Sequence, residues 1–252
     1  MPKMTGAQAL TKSLIDYGID TIFTLPGAQL DPMFDALYDE KESIKVIHTR
    51  HEQGTSYMAF GYAQSTGRVG VNLVVPGPGL LNASAGLSTA FACGAKVLCL
   101  AGQIPSKLIG GGIGQLHELA DQPGAVASVT KWRGRAEEPE DAPERVREAF
   151  IQLNTGRTQP VLLEMAPDIM ATKADVTLLD TQSDYAKIDP TPDPELIEKA
   201  AALLGSASNP AIIIGGGIWG AEESLLALAE ELQAPVYTSP HGHGAIDSRH
   251  YL

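Results

Sequence analysis

Four groups of residues in this chain could carry chemistry. Glu52 stands in Arg50-His51-Glu52-Gln53, between an apolar run suited to a strand and a longer run suited to a helix. A carboxylate there can simply complement the partial positive charge of a helix N-terminus. It can also act as an acid or base at the carboxyl edge of an open α/β sheet, where such sheets bind ligands. Gly215, Gly217 and Gly220 have dinucleotide-binding spacing and follow a strand-like run. The acidic ribose partner required about 20 residues later is missing, because that region reads Pro235-Val236-Tyr237-Thr238-Ser239-Pro240. These glycines are therefore read as permitting a tight strand-to-helix turn. His241 and His243 are two apart, a spacing at which imidazoles on a turn can face one ion, but apart from Asp247 no Cys or carboxylate accompanies them. No metal ligand is assigned. Gln115, His117, Glu118, Asp121 and Gln122 crowd a glycine-rich stretch, which suits either a functional loop or ordinary solvated loop polarity.

Elements that could position these residues follow from the hydrophobic pattern. Thr5 suits the cap of a helix to about residue 17, with Ala9, Leu10, Leu14 and Tyr17 at helical spacing and Gly18 as its stop. Short Val-, Ile- and Leu-rich runs at 21–25, 44–48, 69–75, 97–101 and 161–165 alternate with helical stretches at 30–38, 52–65, 80–93 and 143–153. That alternation predicts a parallel six-stranded α/β sheet with helices on both faces, filling residues 1–166. Residues 102–124 carry five glycines between Gly102 and Gly114 and are expected to form a long loop. Asp, Thr, Ser and Pro then dominate 167–192, which reads as a linker. A second unit at 193–252 opens with Asp193 capping Pro194 at the first helical position and continues as an incomplete Rossmann-like strand-helix-strand. So short a unit cannot cover both faces of its sheet.

Composition excludes several classes. The 252 residues hold 18 Lys and Arg against 30 Asp and Glu, a formal charge of −12, with 44% hydrophobic residues. That is too apolar for disorder and too acidic, without any compensating basic run, for a nucleic-acid partner. No residue from Gly70 to Ala95 is charged, yet Pro76-Gly77-Pro78-Gly79 interrupts the stretch. It is read as buried core, not a membrane span. The N-terminus lacks a basic region followed by an apolar stretch, and Cys93 and Cys99 fit neither a disulfide framework nor a metal pair, so a cytoplasmic location is expected.

Arg50-His51-Glu52-Gln53 followed by Gly61-Tyr62-Ala63 and Thr66-Gly67 resembles the pyrimidine-binding domain of thiamine-diphosphate-dependent enzymes, especially the acetolactate synthase and 2-oxo-acid decarboxylase group. Thr24-Leu25-Pro26-Gly27, Gly77-Pro78-Gly79-Leu80-Leu81-Asn82 and Gln115 match further, in the same order. The resemblance spans residues 3–166 and continues more weakly through 193–252. It implies that Glu52 bonds N1′ of the aminopyrimidine, which promotes deprotonation of thiazolium C2. By the same resemblance Pro26 and Gly27 line the pyrimidine pocket, Pro76, Gly77, Gly79 and Asn82 shape the turn beneath the cofactor, and Gln115 approaches the reacting carbons of a small 2-oxo acid.

The resemblance also implies a three-part enzyme with its active site shared between two subunits, hence at least a homodimer. The part that holds Mg²⁺ and the diphosphate carries a Gly-Asp-Gly signature, and this sequence has none. An N-terminal fragment of an acetolactate synthase-like enzyme, inactive alone, is the leading expectation. The alternatives are a split subunit needing a partner chain, or a non-catalytic module using Gly215 to Gly220. That turn would fall in the central domain, where some relatives bind FAD. Two departures leave the substrate open: the residue before Gln115 is not aromatic, and Pro26-Gly27-Ala28-Gln29 lacks a second glycine.

Overall fold

The computed structural model describes residues 2–181 and 191–252, in two compact units, 1–189 and 190–252. In the first, β1 (Lys3–Thr5) leads into α1 (Gly6–Asp16), β2 (Thr21–Thr24), α2 (Asp31–Asp39), β3 (Lys45–His48), α3 (Glu52–Thr66), β4 (Gly70–Val74), α4 (Pro78–Cys93) and β5 (Val97–Gly102). Then come α5 (Gln122–Ala125), β6 (Trp132–Ala136), α6 (Ala142–Asn154), β7 (Val161–Met165), α7 (Pro167–Ala171) and β8 (Lys173–Asp175). Six strands form one parallel sheet, as expected, in the order β3-β2-β4-β5-β7-β6, and five of them fall on the apolar runs read from the sequence.

Both faces of this sheet are covered, which is why its central strands are mostly apolar, with Asn72 on β4 and Glu164 on β7 as buried polar exceptions. On one face Leu73, Leu100 and Leu163 stand in register and pack with Leu10 and Leu14 of α1, Met33 and Leu37 of α2 and Val146 of α6. On the other, Cys99 and Leu162 lie against Ala59 and Ala63 of α3 and Leu80, Ala83 and Leu87 of α4. Gly86 lets these two helices touch, because a Cβ there would sit 2.3 Å from Ser56 Oγ. The uncharged 70–95 stretch is thus β4 and α4. No helix among the described residues is long and apolar enough to cross a membrane. Thr5 caps α1 as expected, in a capping box in which its hydroxyl accepts from Gln8 N at 3.1 Å and Gln8 Oε1 accepts from Thr5 N at 3.0 Å.

Two regions differ from the sequence expectation. Trp132-Arg-Gly-Arg-Ala forms the sheet's sixth strand, although its arginines and glycine break any apolar run. An edge strand has only one neighbour and half-exposed flanks, so it does not need such a run. The stretch expected as linker from 167 begins instead with α7 and β8, and β8 pairs antiparallel with β1, placing Lys3 opposite Asp175. Val176 is fully buried and the Thr181 hydroxyl donates to Asp16 O at 3.1 Å. Three-residue strands are too short to show periodicity, and this pair joins the two ends of the unit. The remainder of that stretch, 182–190, lies outside the described residues.

The second unit holds α8 (Pro194–Gly205), β9 (Ile212–Ile214), α9 (Glu222–Leu232) and β10 (Val236–Thr238), with β9 and β10 parallel. Asp193 caps α8 as expected, accepting from Glu195 N at 2.9 Å. Its buried core is small, centred on Ile214, Leu225 and Ala245. Leu196, Ile197 and Leu203 of α8 and Ile213 of β9 are exposed.

Candidate functional site

In the large sheet the strand order reverses between β2 and β4. After β2 the chain crosses one face as α2, and after β4 it crosses the other as α4. The carboxyl edge at such a reversal is the crevice at which open α/β sheets bind ligands. Pro26-Gly27 lies on one side of it and Pro76-Gly77 on the other. The two turns are pressed together around Val75: a Cβ on Gly27 would lie 2.4 Å from Val75 Cγ1, and one on Gly79 2.6 Å from Val75 Cγ2. Gly77 adopts φ 59° and ψ −115°, a conformation that suits only glycine.

Glu52 is the first residue of α3, placed by the strand β3 that precedes it, and it is half-buried. His51 caps the helix through Nδ1, which accepts from Gln53 N at 3.2 Å. The Glu52 side chain is therefore free to face the first turn of α4. There Asn82 Nδ2 donates to Glu52 Oε2 at 3.0 Å, and a Cβ on Gly79 would lie 3.6 Å from Glu52 Oε1. Among the described residues Oε1 has no hydrogen-bond partner. The result is a carboxylate with one oxygen fixed by an amide and the other available, near two helix N-termini. Such a group can accept or share a proton with a ring nitrogen.

Glu52, Gly79 and Asn82 are thus brought together, and Gly27 and Gly77 border the same crevice. Gln115 is placed differently. It lines a cavity of about 210 Å³ with Gln29, Ile104, Leu116 and Pro167, which Glu52 does not line. Its loop is shaped by Glu118, whose carboxylate accepts from Gly112 N at 2.8 Å and Gln115 N at 2.9 Å. The Gln115 amide and then those of Gly112, Gly114 and Ile113 hold the Glu118 carboxyl below its ordinary value.

Other residues at the crevice were only partly visible in the sequence. His117, at φ 71°, packs its carbonyl so close to Gly77 that a Cβ there would approach it to 2.5 Å. Its Nδ1 lies 3.1 Å from Gln29 Nε2. Gln122, 2% exposed, accepts from Gly77 N through Oε1 at 2.9 Å. Its Nε2 donates to Gly102 O at 2.9 Å and to Glu164 Oε2 at 2.6 Å. Glu164 is fully buried and paired with Arg135. One signal could have found this network: Glu164 is a charge inside the apolar run Val-Leu-Leu-Glu-Met, and a buried carboxylate requires partners. Among the described residues no group of three or more His, Cys, Asp or Glu side chains could hold a metal ion.

Known proteins resemble this chain along nearly all of its length. Residues 4–125 match the N-terminal TPP binding domain of thiamine pyrophosphate enzymes, and residues 197–252 match their central domain. The chain is 37% identical to the probable acetolactate synthase large subunit of Methanocaldococcus jannaschii, over 99% of this chain and 42% of that protein. It is 34% identical to the probable 2-ketoarginine decarboxylase of Pseudomonas aeruginosa, over 96% and 43%. With the acetolactate synthase large subunit of Corynebacterium glutamicum it shares 36% identity, over 99% and 40%. The chain spans less than half the length of these curated relatives.

Proposed function

Since the chain belongs to the thiamine pyrophosphate enzyme family, we propose that it forms the pyrimidine-binding part of a thiamine-diphosphate-dependent 2-oxo-acid decarboxylase or carboligase of the acetolactate synthase kind. The observation that carries this reading is the Glu52 carboxylate, with Oε2 fixed by Asn82 and Oε1 available at the sheet's switch point. This donor set fits an aminopyrimidine. When bound, thiamine diphosphate supplies a nucleophilic carbon at thiazolium C2 and an electron sink for decarboxylation.

Glu52 holds a proton against N1′ of the pyrimidine through Oε1, and Asn82 keeps the carboxyl group from rotating away. Pro26, Gly27, Pro76, Gly77 and Gly79 build the two turns at this edge, whose glycines admit the close packing of Val75 and of the His117 carbonyl. Gln115, in the neighbouring cavity with Gln29, orients the 2-oxo acid. The relatives' names include a synthase of acetolactate and a decarboxylase of 2-ketoarginine, which supports the substrate class and leaves the particular acid open. Mg²⁺ and the diphosphate are assigned to residues outside these 252, which contain no Gly-Asp-Gly. The isolated chain is accordingly expected not to turn over pyruvate.

A second subunit is assigned to the face of α3 and α4. Between Gln53 and Cys93 the only charged residue is Arg68, in a chain of charge −12, and Tyr57, Met58 and Leu81 are exposed there. An uncharged face on an acidic protein is suited to burial against another copy.

The test is Glu52→Gln in the protein as its host produces it. Thiamine-diphosphate-dependent pyruvate consumption should fall about 10²–10⁴-fold, the usual range for a positioned acid or base, with an unchanged urea midpoint. Unaltered turnover would overturn the assignment.

A further inference from the structure

The network behind Gly77 continues outward from the crevice. Gln122 joins Gly77 N to Glu164 Oε2, and Glu164 Oε1 is held by Arg135 on the edge strand β6, at 2.6 Å from Nε and 2.5 Å from Nη2. Three side chains therefore connect the β4–α4 turn to the far edge of the sheet. At that edge Arg135, whose side chain is 28% exposed, lines a cavity of about 240 Å³ together with Ser106, Ile109, Ile169 and Glu137.

An arginine has five N–H donors in a planar fork that matches a carboxylate. Glu164 engages two nitrogens of Arg135, and no other hydrogen bond is made by this guanidinium among the described residues. The unused donors belong to a residue that lines the cavity together with Ile109 and Ile169. Glu137 adds one negative charge, which disfavours a ligand with a second carboxylate.

The geometry points to a second ligand site here, taking a small monocarboxylate with an apolar body and coupled through Glu164 and Gln122 to the Gly77 turn. A carboxylate on Arg135 shares the guanidinium with Glu164. Glu164 cannot leave its buried position, so its altered pairing is passed to Gln122, which holds Gly77 N. By linkage, occupancy at the crevice acts back on this site with the same coupling. The cavity lies beyond the assigned cofactor pocket, and binding at Arg135 does not depend on the proposed activity.

Isobutyrate is the probe, titrated into the full ¹⁵N-labelled chain with the Arg135 Nε–H and Gly77 amide resonances followed. Both should shift saturably with the same midpoint, and neither should respond to isobutyramide or to glutarate. Arg135→Gln should weaken binding about tenfold or more, as loss of a charge-assisted hydrogen bond does. Because that variant also disturbs Glu164, Ile169→Trp gives an independent test: it fills the cavity, leaves the ion pair in place and should abolish the response. Absence of a saturable Arg135 shift, an equal response to isobutyramide, or unchanged binding in Ile169→Trp overturns the site. A shift at Arg135 that leaves Gly77 unmoved overturns the coupling.

Discussion

Two glycine-rich turns join a strand to a helix in this protein, and they are built differently. At Pro76-Gly77-Pro78-Gly79, a Cβ on Gly77 would come within 2.5 Å of His117 O and one on Gly79 within 2.6 Å of Val75. The Gly77 N–H is held by a side chain that is itself buried. In the turn from Gly215 to Gly220, a Cβ on Gly217 would meet nothing within 4 Å and one on Gly215 only Ser239 Oγ at 3.5 Å. Gly220, at φ 93°, is required by its backbone and not by any neighbour. Glycine spacing alone announces a turn in both places. Whether the turn is clamped depends on atoms contributed by remote segments.

The sharpest break of this contrast is Gly77→Ala. Its side chain must occupy a disfavoured backbone region and overlap a carbonyl, so a loss of roughly 3 kcal/mol or more is expected, read from urea unfolding of the chain. A loss below that of an ordinary surface substitution would remove the distinction between the turns. Gln122→Leu comes next, at about 2–3 kcal/mol, because it removes the side chain that bonds Gly77 N and Gly102 O and leaves Glu164 Oε2 with only the 3.5 Å contact from Gln103 Nε2. Hydrogen exchange at the Gly77 amide should accelerate in this variant while exchange in the second unit stays unchanged.

The loop against Gly77 adds a pH test. Glu118 has a folded value below its ordinary one, so its contacts favour the ordered loop above the ordinary glutamate range and are lost as pH falls through the lower, folded value. The Gly112 and Gln115 amide resonances should therefore move on the acid side of ordinary glutamate titration, and Glu118→Gln should suppress that movement. The smallest effect is expected for Gly217→Ala, which meets open space and should be neutral or stabilise by about 0.5 kcal/mol through the unfolded chain. A clear destabilisation would show that the second turn is as constrained as the first.

Much of the first unit was legible because its strands and helices are long enough to show a period. Leu10 and Leu14, the run through β4 and the caps at Thr5 and Asp193 all behave as their spacing suggests. Edge and closing elements were not legible. Trp132 to Ala136 carries two arginines and needs only one strand partner, and β8 is recognisable only through its pairing with β1. At the candidate site, the position of Glu52 after β3 and before α3 could be read directly, as could the turns at Gly27 and Gly77. The sequence reading saw polarity at Gln122 but not its burial, and it passed over Arg135 and Glu164.

From sequence alone came the α/β class, the place of Glu52 at a strand-to-helix junction and the mismatch at Gly215 to Gly220, because these depend on local periodicity, caps and spacing. Only the tertiary structure decided that Asn82 grips Glu52, that Gln115 lines a separate cavity and that a buried chain of side chains runs from Arg135 to Gly77. The hydrogen-bonded pairs among them lie 29 to 45 positions apart, and their partners are selected by the strand order and by the need to satisfy buried polar groups, neither of which leaves a local pattern.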